Sequence, residues 1–296
     1  MAKSTWASYR ASVNSFMIFR DQLKLEKKWP VPQNHIMAFI SFLVIEGKSP
    51  STINSRMSAL AFVHKVNGWL DPTDSFIIKK LKEGCKRGNP QCDSRLPITP
   101  ILLRDLVEKL PSMCSSQYEA LLFKAAFLLA FVGFLRVGEF TSLKKSGDTS
   151  RILAIDDISI SEKILHVRIR FSKTDQKGLS SNLKIESSTG CLLCPVKALE
   201  EFLLVRSGRQ GPLFIHFAGD PLTSFQFRSM LKNGIKLLGL TPDHFSSHSF
   251  RIGAATAAAL GGASEEEIKR MGRWRSSAYQ SYIRPQLLWQ SSQIFL

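Results

Sequence analysis

The 296-residue chain has no apolar run long enough to cross a bilayer; its longest, Ala125 to Leu135, falls well short of the roughly 20 residues a spanning helix needs. Its opening, Met1-Ala2-Lys3-Ser4, does not read as a signal peptide, so a soluble intracellular protein with no membrane partner is expected. Cysteines are few: Cys85, Cys92, Cys114, Cys191 and Cys194 form an odd, scattered set, which excludes a disulfide framework and predicts reduced thiols. Cys191-Leu-Leu-Cys194 has the spacing of a zinc half-site, but no second pair follows and His216 stands alone downstream. No metal site is expected. Nor is there an acidic cluster placed to hold Mg²⁺, which argues against a metal-dependent nuclease. Internal repeats and low-complexity tracts are absent.

Acidic residues are also scarce: 24 Asp and Glu face 40 Lys and Arg, for a net charge of +16. Residues 1–97 hold 15 basic against 7 acidic side chains, and residues 98–296 hold 25 against 17. The excess is therefore twice as dense in the first third of the chain. A polyanion is the expected partner, gripped most strongly by the N-terminal part.

The first 88 residues read as four helices. Thr5 to about Leu25 carries Trp6, Tyr9, Val13 and Phe16/Met17 on one stripe, and Pro32 to Glu46 is a second helix. A third opens at Ser49-Pro50, a cap residue followed by proline at the first helical position. It turns Ile53, Met57, Leu60 and Val63/His64 inward. Its other face shows Ser51, Thr52, Asn54, Ser55 and Arg56, which suit a phosphate backbone or an ordinary solvated surface equally well. A fourth helix, about Ser75 to Cys85, bears Lys79 and Lys80; with Lys82, Lys86 and Arg87 these form a basic edge or a nuclear address. Residues 86–97 are rich in Gly, Pro, Asn and Asp, placing a linker at 89–97 between a domain of residues 1–88 and one of residues 98–296.

Beyond the linker, a helix starts at Thr99-Pro100 and Ser115 to Leu135 is strongly apolar. Ile152–Ile160, Ile164–Phe171 and Asn182–Glu186 then read as strands. His166, Arg168 and Arg170 alternate with Val167, Ile169 and Phe171, marking a half-exposed strand with a basic face. Helices return at Pro195–Val205, Ser224–Leu238, Ser247–Ala259, Ser264–Met271 and around Ser277–Ile283, and Ser264 with Glu267 makes a capping-box pattern. The expected fold is mainly α with a small antiparallel β-sheet, in two domains.

Six features carry chemistry. Arg136, at the end of the apolar helix, has Glu139 one turn later; the pair suits an anion grip or a structural ion pair. His248-x-x-Arg251 places two polar side chains on one helical face, where a bound phosphate would offset the cost of burying them. Trp274 offers an indole N–H, and Lys173, in Ser172-Lys173-Thr174-Asp175, sits in a turn. Tyr279 and Tyr282 are both placed to face one groove. A phenol is a poor nucleophile unless positive charge lies nearby, and Arg136, His248 and Arg251 would supply it.

Taken in order, Gly133-Phe-Leu-Arg136-Val-Gly-Glu139, the lysine turn, His248-Ser-Phe-Arg251, Gly272-Arg273-Trp274 and Ser281-Tyr282-Ile-Arg284 resemble the tyrosine recombinases of the phage-integrase superfamily. The phrasing is most like recombinases of eukaryotic DIRS/Ngaro or Crypton mobile elements. Ile252 stands where the family commonly has His, and Tyr282 follows Trp274 by eight residues where nine is usual, which keeps Tyr279 open as nucleophile. The resemblance implies a helical core-binding domain followed by a catalytic domain. It implies recombination through a 3′-phosphotyrosyl intermediate without metal, ATP or cofactor. Arg136, His248, Arg251 and Trp274 would hold the phosphate, Lys173 would act as general acid and Tyr282 as nucleophile. It further implies double-stranded DNA as partner, contacted by Ser51, Thr52, Asn54, Arg56, Lys79, Lys80, Arg168 and Arg170, and a homo-tetramer on paired sites. Location would be the nucleus in a eukaryotic host, otherwise the cytoplasm with the DNA. A DNA-binding protein that has lost strand exchange, or a type IB topoisomerase, are the alternatives.

Overall fold

The computed structural model describes residues 3–88, 93–171, 180–188 and 190–284. The chain divides between Asp93 and Ser94 into two compact units.

In the first unit, α1 (Lys3–Gln22), α2 (Gln33–Ile45), α3 (Pro50–Val66) and α4 (Phe76–Gly88) enclose one core. Phe16, Phe19 and Phe39 pack with ring centroids 5.0 to 6.0 Å apart, over Ile53, Met57, Leu60 and Ile78. Each side chain of this size contributes about 1.5–3 kcal/mol on burial. Ser49 caps α3 by accepting from the Thr52 N–H. His64 is a core residue: its Nε2 accepts from the Val31 N–H at 2.9 Å, so its Nδ1 donates to the Leu60 carbonyl at 2.7 Å. Trp6, expected on the buried stripe, is 55% exposed. Its ring meets that of the half-buried Phe62, so this end of the stripe lies at the rim of the core.

In the second unit, α5 (Pro100–Met113), α6 (Gln117–Val132), α8 (Pro195–Val205), α9 (Ser224–Leu237) and α10 (Ser247–Leu260) surround a core in which Phe127 and Phe140 meet Phe227 edge to face and Phe250 packs tilted against Phe127 and Phe227. The segment before α5 lies along this unit: the Leu96 and Ile98 N–H groups donate to the carbonyls of His244 and Ser249. Gly253 is what lets α10 approach that segment, since a Cβ there would fall 1.8 Å from the Ile98 carbonyl oxygen.

Two expectations are corrected by the course of the chain between α6 and the sheet. The apolar helix stops at Val132, because Phe134 turns left-handed (φ 48°) and Gly133 leaves no room for a side chain beside the Leu129 carbonyl. Arg136 is therefore not the last residue of a long helix but the extended N-cap of the short α7 (Val137–Phe140). The run Ile152–Ile160 is strand only at β1 (Ile158–Ser161). Ile155–Asp157 form a 3-10 turn, closed by the Asp157 carboxylate on the Ala154 N–H.

β1, β2 (Ile164–Ile169) and β3 (Ser181–Glu186) form an antiparallel sheet in that order, with Ile158 opposite Val167 and Leu165 opposite Ile185. Glu162 and Lys163 both take positive φ, the two-residue turn whose twist matches a hairpin. α11 (Glu265–Gly272) carries the expected Ser264–Glu267 capping box. The last element, Ser277–Tyr282, is a 3-10 turn rather than an α-helix; Ser276 caps it and an extended Ile283 ends it. Among the described residues no helix is long and apolar enough to cross a membrane, and no group of three or more His, Cys, Asp and Glu is placed to hold a metal.

Candidate active site

The break after α6 builds the floor of the site. With the helix ended, the carbonyls of Gly133 and Phe134 are left for side-chain donors. Arg251, fully buried in the first turns of α10, sends Nη1 to the Phe134 carbonyl and Nη2 to the Gly272 carbonyl at 3.0 Å. Arg273, which follows α11, donates to the Gly133 carbonyl at 3.1 Å and the Phe134 carbonyl at 3.2 Å. The Glu139 carboxylate, 4% exposed, joins the remaining groups: Oε1 takes Arg136 Nη1 at 3.1 Å, and Oε2 takes Arg273 Nη2 at 2.8 Å and the Arg136 backbone N–H at 2.9 Å.

Two guanidinium groups, of Arg136 and Arg273, thus share one carboxylate while Arg251 is held by carbonyls alone, and their excess positive charge is held out of water. Burial, with repulsion from Arg136 and Arg273, pushes the Arg251 pKa down to about 10 against the pull of Glu139 and Tyr282. Arg251 remains charged at neutral pH. Burial also lowers the pKa of Arg273, with Glu139 opposing it. Arginine pKa values fall when nothing offsets desolvation, so an anion arriving here relieves a cost already built into the fold.

Above this floor lie the aromatic groups. Arg251 stands 4.6 Å from the Trp274 ring centre and 5.4 Å from that of Tyr282, while the two rings are 5.1 Å apart. His248, one helical turn before Arg251, has its ring 6.3 Å from Tyr282. Gly272 makes room for Trp274, since a Cβ there would lie 1.7 Å from the indole. Phe134, Ala254, Ala255 and Ile268 form a small apolar base beneath. Arg136, His248, Arg251, Trp274 and Tyr282 are therefore brought together.

Tyr279 is not among them. Its ring is buried, with Lys269 over it at 5.1 Å, and its hydroxyl donates to the Glu265 carboxylate. That hydrogen bond, then burial, raises its pKa, the reverse of what a nucleophilic phenol needs. Lys173 lies outside the described residues.

The residues expected to contact DNA fall into three groups. Ser51, Thr52 and Arg56 line a shallow cleft between α1 and α3, with Asn54 half-buried nearby on α3. Lys79 and Lys80 are exposed and pair with Asp74 at 2.8 Å and Glu83 at 2.9 Å, contacts too weak at a surface to hold them from a phosphate. On the sheet, Arg168 is exposed beside His166, but Arg170 Nε donates at 2.6 Å to the fully buried Asp157 carboxylate. Arg170 thus serves the 3-10 turn before β1 rather than a free basic face.

Two side chains not expected from sequence belong to the site. Arg273 is flanked by the recognisable Gly272 and Trp274, and only its left-handed backbone aims it at Glu139. Thr256, in the small-residue stretch of α10, bonds the backbone on both sides of Ile283.

Residues 101–286 match the phage integrase family. The chain is 22% identical over 256 residues to an integrase/recombinase XerD homolog of Selenomonas ruminantium, covering 83% of this chain and 71% of that protein. Its fold is similar to the XerH site-specific recombinase bound to palindromic difH substrate in a post-cleavage complex, with TM-score 0.69, 15% identity and coverage of 97% and 78% of the two chains. It is also similar to a λ integrase (75–356) dimer bound to a COC′ core site, with TM-score 0.62, 16% identity and coverage of 96% and 89%.

Proposed function

The chain belongs to the phage integrase family and is a site-specific tyrosine recombinase, and we propose that Tyr282 is its nucleophile, working on a phosphate held by Arg136 and Arg251. The observation that carries this assignment is the placement of the Tyr282 ring against Arg251 and Trp274, beside the Arg136 and Arg273 guanidinium groups that share the Glu139 carboxylate.

In the forward step the Tyr282 phenol gives up its proton to water and its oxygen bonds to phosphorus. The bond from phosphorus to the 5′ oxygen breaks, and that oxygen takes a proton, for which Lys173 is the proposed donor. Charge building on the non-bridging oxygens meets Arg136 and Arg251, with His248 and Trp274 as further donors. Preorganised donors of this kind are each worth about 3–4 kcal/mol in the transition state. The phosphotyrosine keeps the energy of the broken bond, so rejoining is the same exchange with a DNA 5′-hydroxyl and needs no ATP.

We further propose double-stranded DNA as the substrate, gripped through Ser51, Thr52, Asn54, Arg56, Lys79, Lys80 and Arg168. Four copies would act on two paired sites. The wording of the Arg, Trp and Tyr motifs supports an origin in a mobile element of the DIRS/Ngaro or Crypton kind, hence a role in transposition and a nuclear location in a eukaryotic host. Covalent trapping on nicked duplexes tests the assignment. Wild type and Tyr279→Phe should form an SDS-resistant adduct and Tyr282→Phe none; an adduct lost only with Tyr279→Phe would move the nucleophile.

A further inference from the structure

Two non-glycine residues in the left-handed region, Phe134 (φ 48°) and Arg273 (φ 55°), are bonded to each other, Arg273 Nη2 donating to the Phe134 carbonyl at 3.2 Å. Left-handed backbone disfavours any residue with a Cβ, and at the end of a helix glycine is the usual occupant. Arg273 closes α11 in this conformation, its N–H bonded to the Arg270 carbonyl at 3.2 Å. Glycine would make the same backbone bond without strain. What glycine lacks is the guanidinium, which here is about nine-tenths buried and makes bonds to the Gly133 carbonyl, the Phe134 carbonyl and the Glu139 carboxylate. Backbone strain that secures one buried charged side chain at a site points to a role for that side chain.

We propose that Arg273 is a positioning residue for the phosphodiester chemistry, locking the Gly133–Phe134 turn and the Glu139 carboxylate so that Arg136 and Arg251 face one phosphate together. The inference rests on the recombinase reading of the site. Its logic is a division of partners. Glu139 has two oxygens, and Arg273 shares Oε2 with the Arg136 backbone N–H. That leaves the Arg136 side chain bonded through Nη1 to Oε1 alone, with the rest of its fork available for an anion. Without Arg273, the buried carboxylate would draw Arg136 into a two-pronged pair and away from the phosphate. The Phe134 carbonyl is shared in the same manner: it receives both Arg251 Nη1 and Arg273 Nη2, so loosening the turn also loosens the seat of Arg251.

Arg273→Gly isolates this role, because glycine suits the left-handed backbone and removes only the side chain. The measurement is single-turnover adduct formation on a nicked duplex at saturating enzyme, with duplex affinity and thermal melting taken on the same preparations. Arg273→Gly should slow adduct formation by on the order of 10- to 100-fold at affinity close to wild type, with a melting temperature that is lowered but stays well above that of the assay. Arg273→Lys should recover part of the rate, since an ammonium can meet Glu139 but lacks the fork that also spans two carbonyls. A wild-type rate in Arg273→Gly, or a loss explained by weaker affinity or by melting at the assay temperature, overturns the positioning role and leaves the recombinase reading standing. Absence of any adduct from wild type on every nicked duplex overturns both.

Discussion

The Thr256 hydroxyl donates to the Tyr282 carbonyl at 3.3 Å, and it accepts the Arg284 N–H at 3.2 Å. Thr256 is buried on α10, the helix that carries Arg251 one turn and a half earlier. One side chain therefore couples the backbone of the proposed nucleophile to the helix of its phosphate anchor. Thr256→Val fills nearly the same space and removes both bonds. With a net hydrogen bond worth about 1 kcal/mol, adduct formation should slow about 5- to 30-fold at unchanged DNA affinity. Single-turnover trapping at saturating enzyme checks this; an unchanged rate would mean that Tyr282 is seated by its ring contacts alone.

The Tyr279–Glu265 bond gives a pH-dependent support to the same segment. The bond from Tyr279 holds the Glu265 pKa below its ordinary 4.5. A depressed carboxylate contributes stability above its unfolded value and loses it as pH falls through the folded one. Accepting from that phenol in turn raises the Tyr279 pKa above its ordinary 10.0, and a raised phenol contributes below that value and loses the contribution as pH rises through the folded one. The difference in melting temperature between wild type and Tyr279→Phe should therefore be largest between about pH 5 and 9 and shrink on both sides. A difference that stays the same from this plateau down to about pH 3 and up to about pH 11 would show that the phenol and carboxylate do not act as a pair.

Arg251 is where removal should cost most. Arg251→Ala leaves the Phe134 carbonyl with Arg273 alone and opens a gap beneath Trp274 and Tyr282. Arg251→Lys keeps the charge but can no longer span the Phe134 and Gly272 carbonyls while meeting a phosphate. Both substitutions should lower the trapping rate by about 100- to 1000-fold, the scale for loss of one preorganised donor. Calorimetric or optical melting should show Arg251→Ala destabilised as well. Loss of stability with the rate intact would reduce Arg251 to a structural cation.

Much of the fold is legible in the sequence because local chemistry dictates it. Ser49-Pro50 and Ser264 with Glu267 begin helices where their hydroxyls can cap, and β2 follows its alternation of Leu165, Val167 and Ile169. The break after Val132 is not legible, since an uninterrupted apolar run reads as continuous helix, while the left-handed turn at Phe134 is fixed by long-range donors from Arg251 and Arg273. The tie of Arg170 to Asp157 is hidden for the same reason: Asp157 lies in a turn that periodicity renders as strand. In the site, Arg136, His248, Arg251, Trp274 and Tyr282 are found together by motif, whereas Arg273 and Thr256 depend on contacts that no spacing encodes.

DNA binding should be strongly electrostatic. With a net charge of +16, denser in the first 97 residues, many phosphates would release counterions on binding. The logarithm of the duplex affinity should fall steeply with the logarithm of salt. Lys79→Ala with Lys80→Ala should reduce the slope by about 2 with little effect on the trapping rate at saturation. Chelation by EDTA should leave trapping unchanged, because guanidinium groups take the place of a cation. A flat salt response would remove the electrostatic grip, and abolition of cleavage by EDTA would remove the metal-free mechanism.

Gly272 offers the sharpest separation of packing from chemistry. A methyl group there would sit 1.7 Å from the Trp274 ring, so Gly272→Ala must push the indole aside. The indole lies against both Arg251 and Tyr282, and the Gly272 carbonyl itself receives Arg251 Nη2, so the displacement reaches three parts of the site at once. Overpacking of this kind typically costs about 1–3 kcal/mol, and the trapping rate should collapse with it. Adding Trp274→Ala removes the obstacle. The double variant should then melt higher than the two single effects added together predict, the signature of residues in direct contact. Its activity should not return, because relief of the clash does not restore the ring against Arg251 and Tyr282. Recovery of stability and rate together would mean that Trp274 acts only by filling space; additive melting shifts would mean that Gly272 is not needed for its close approach to the indole.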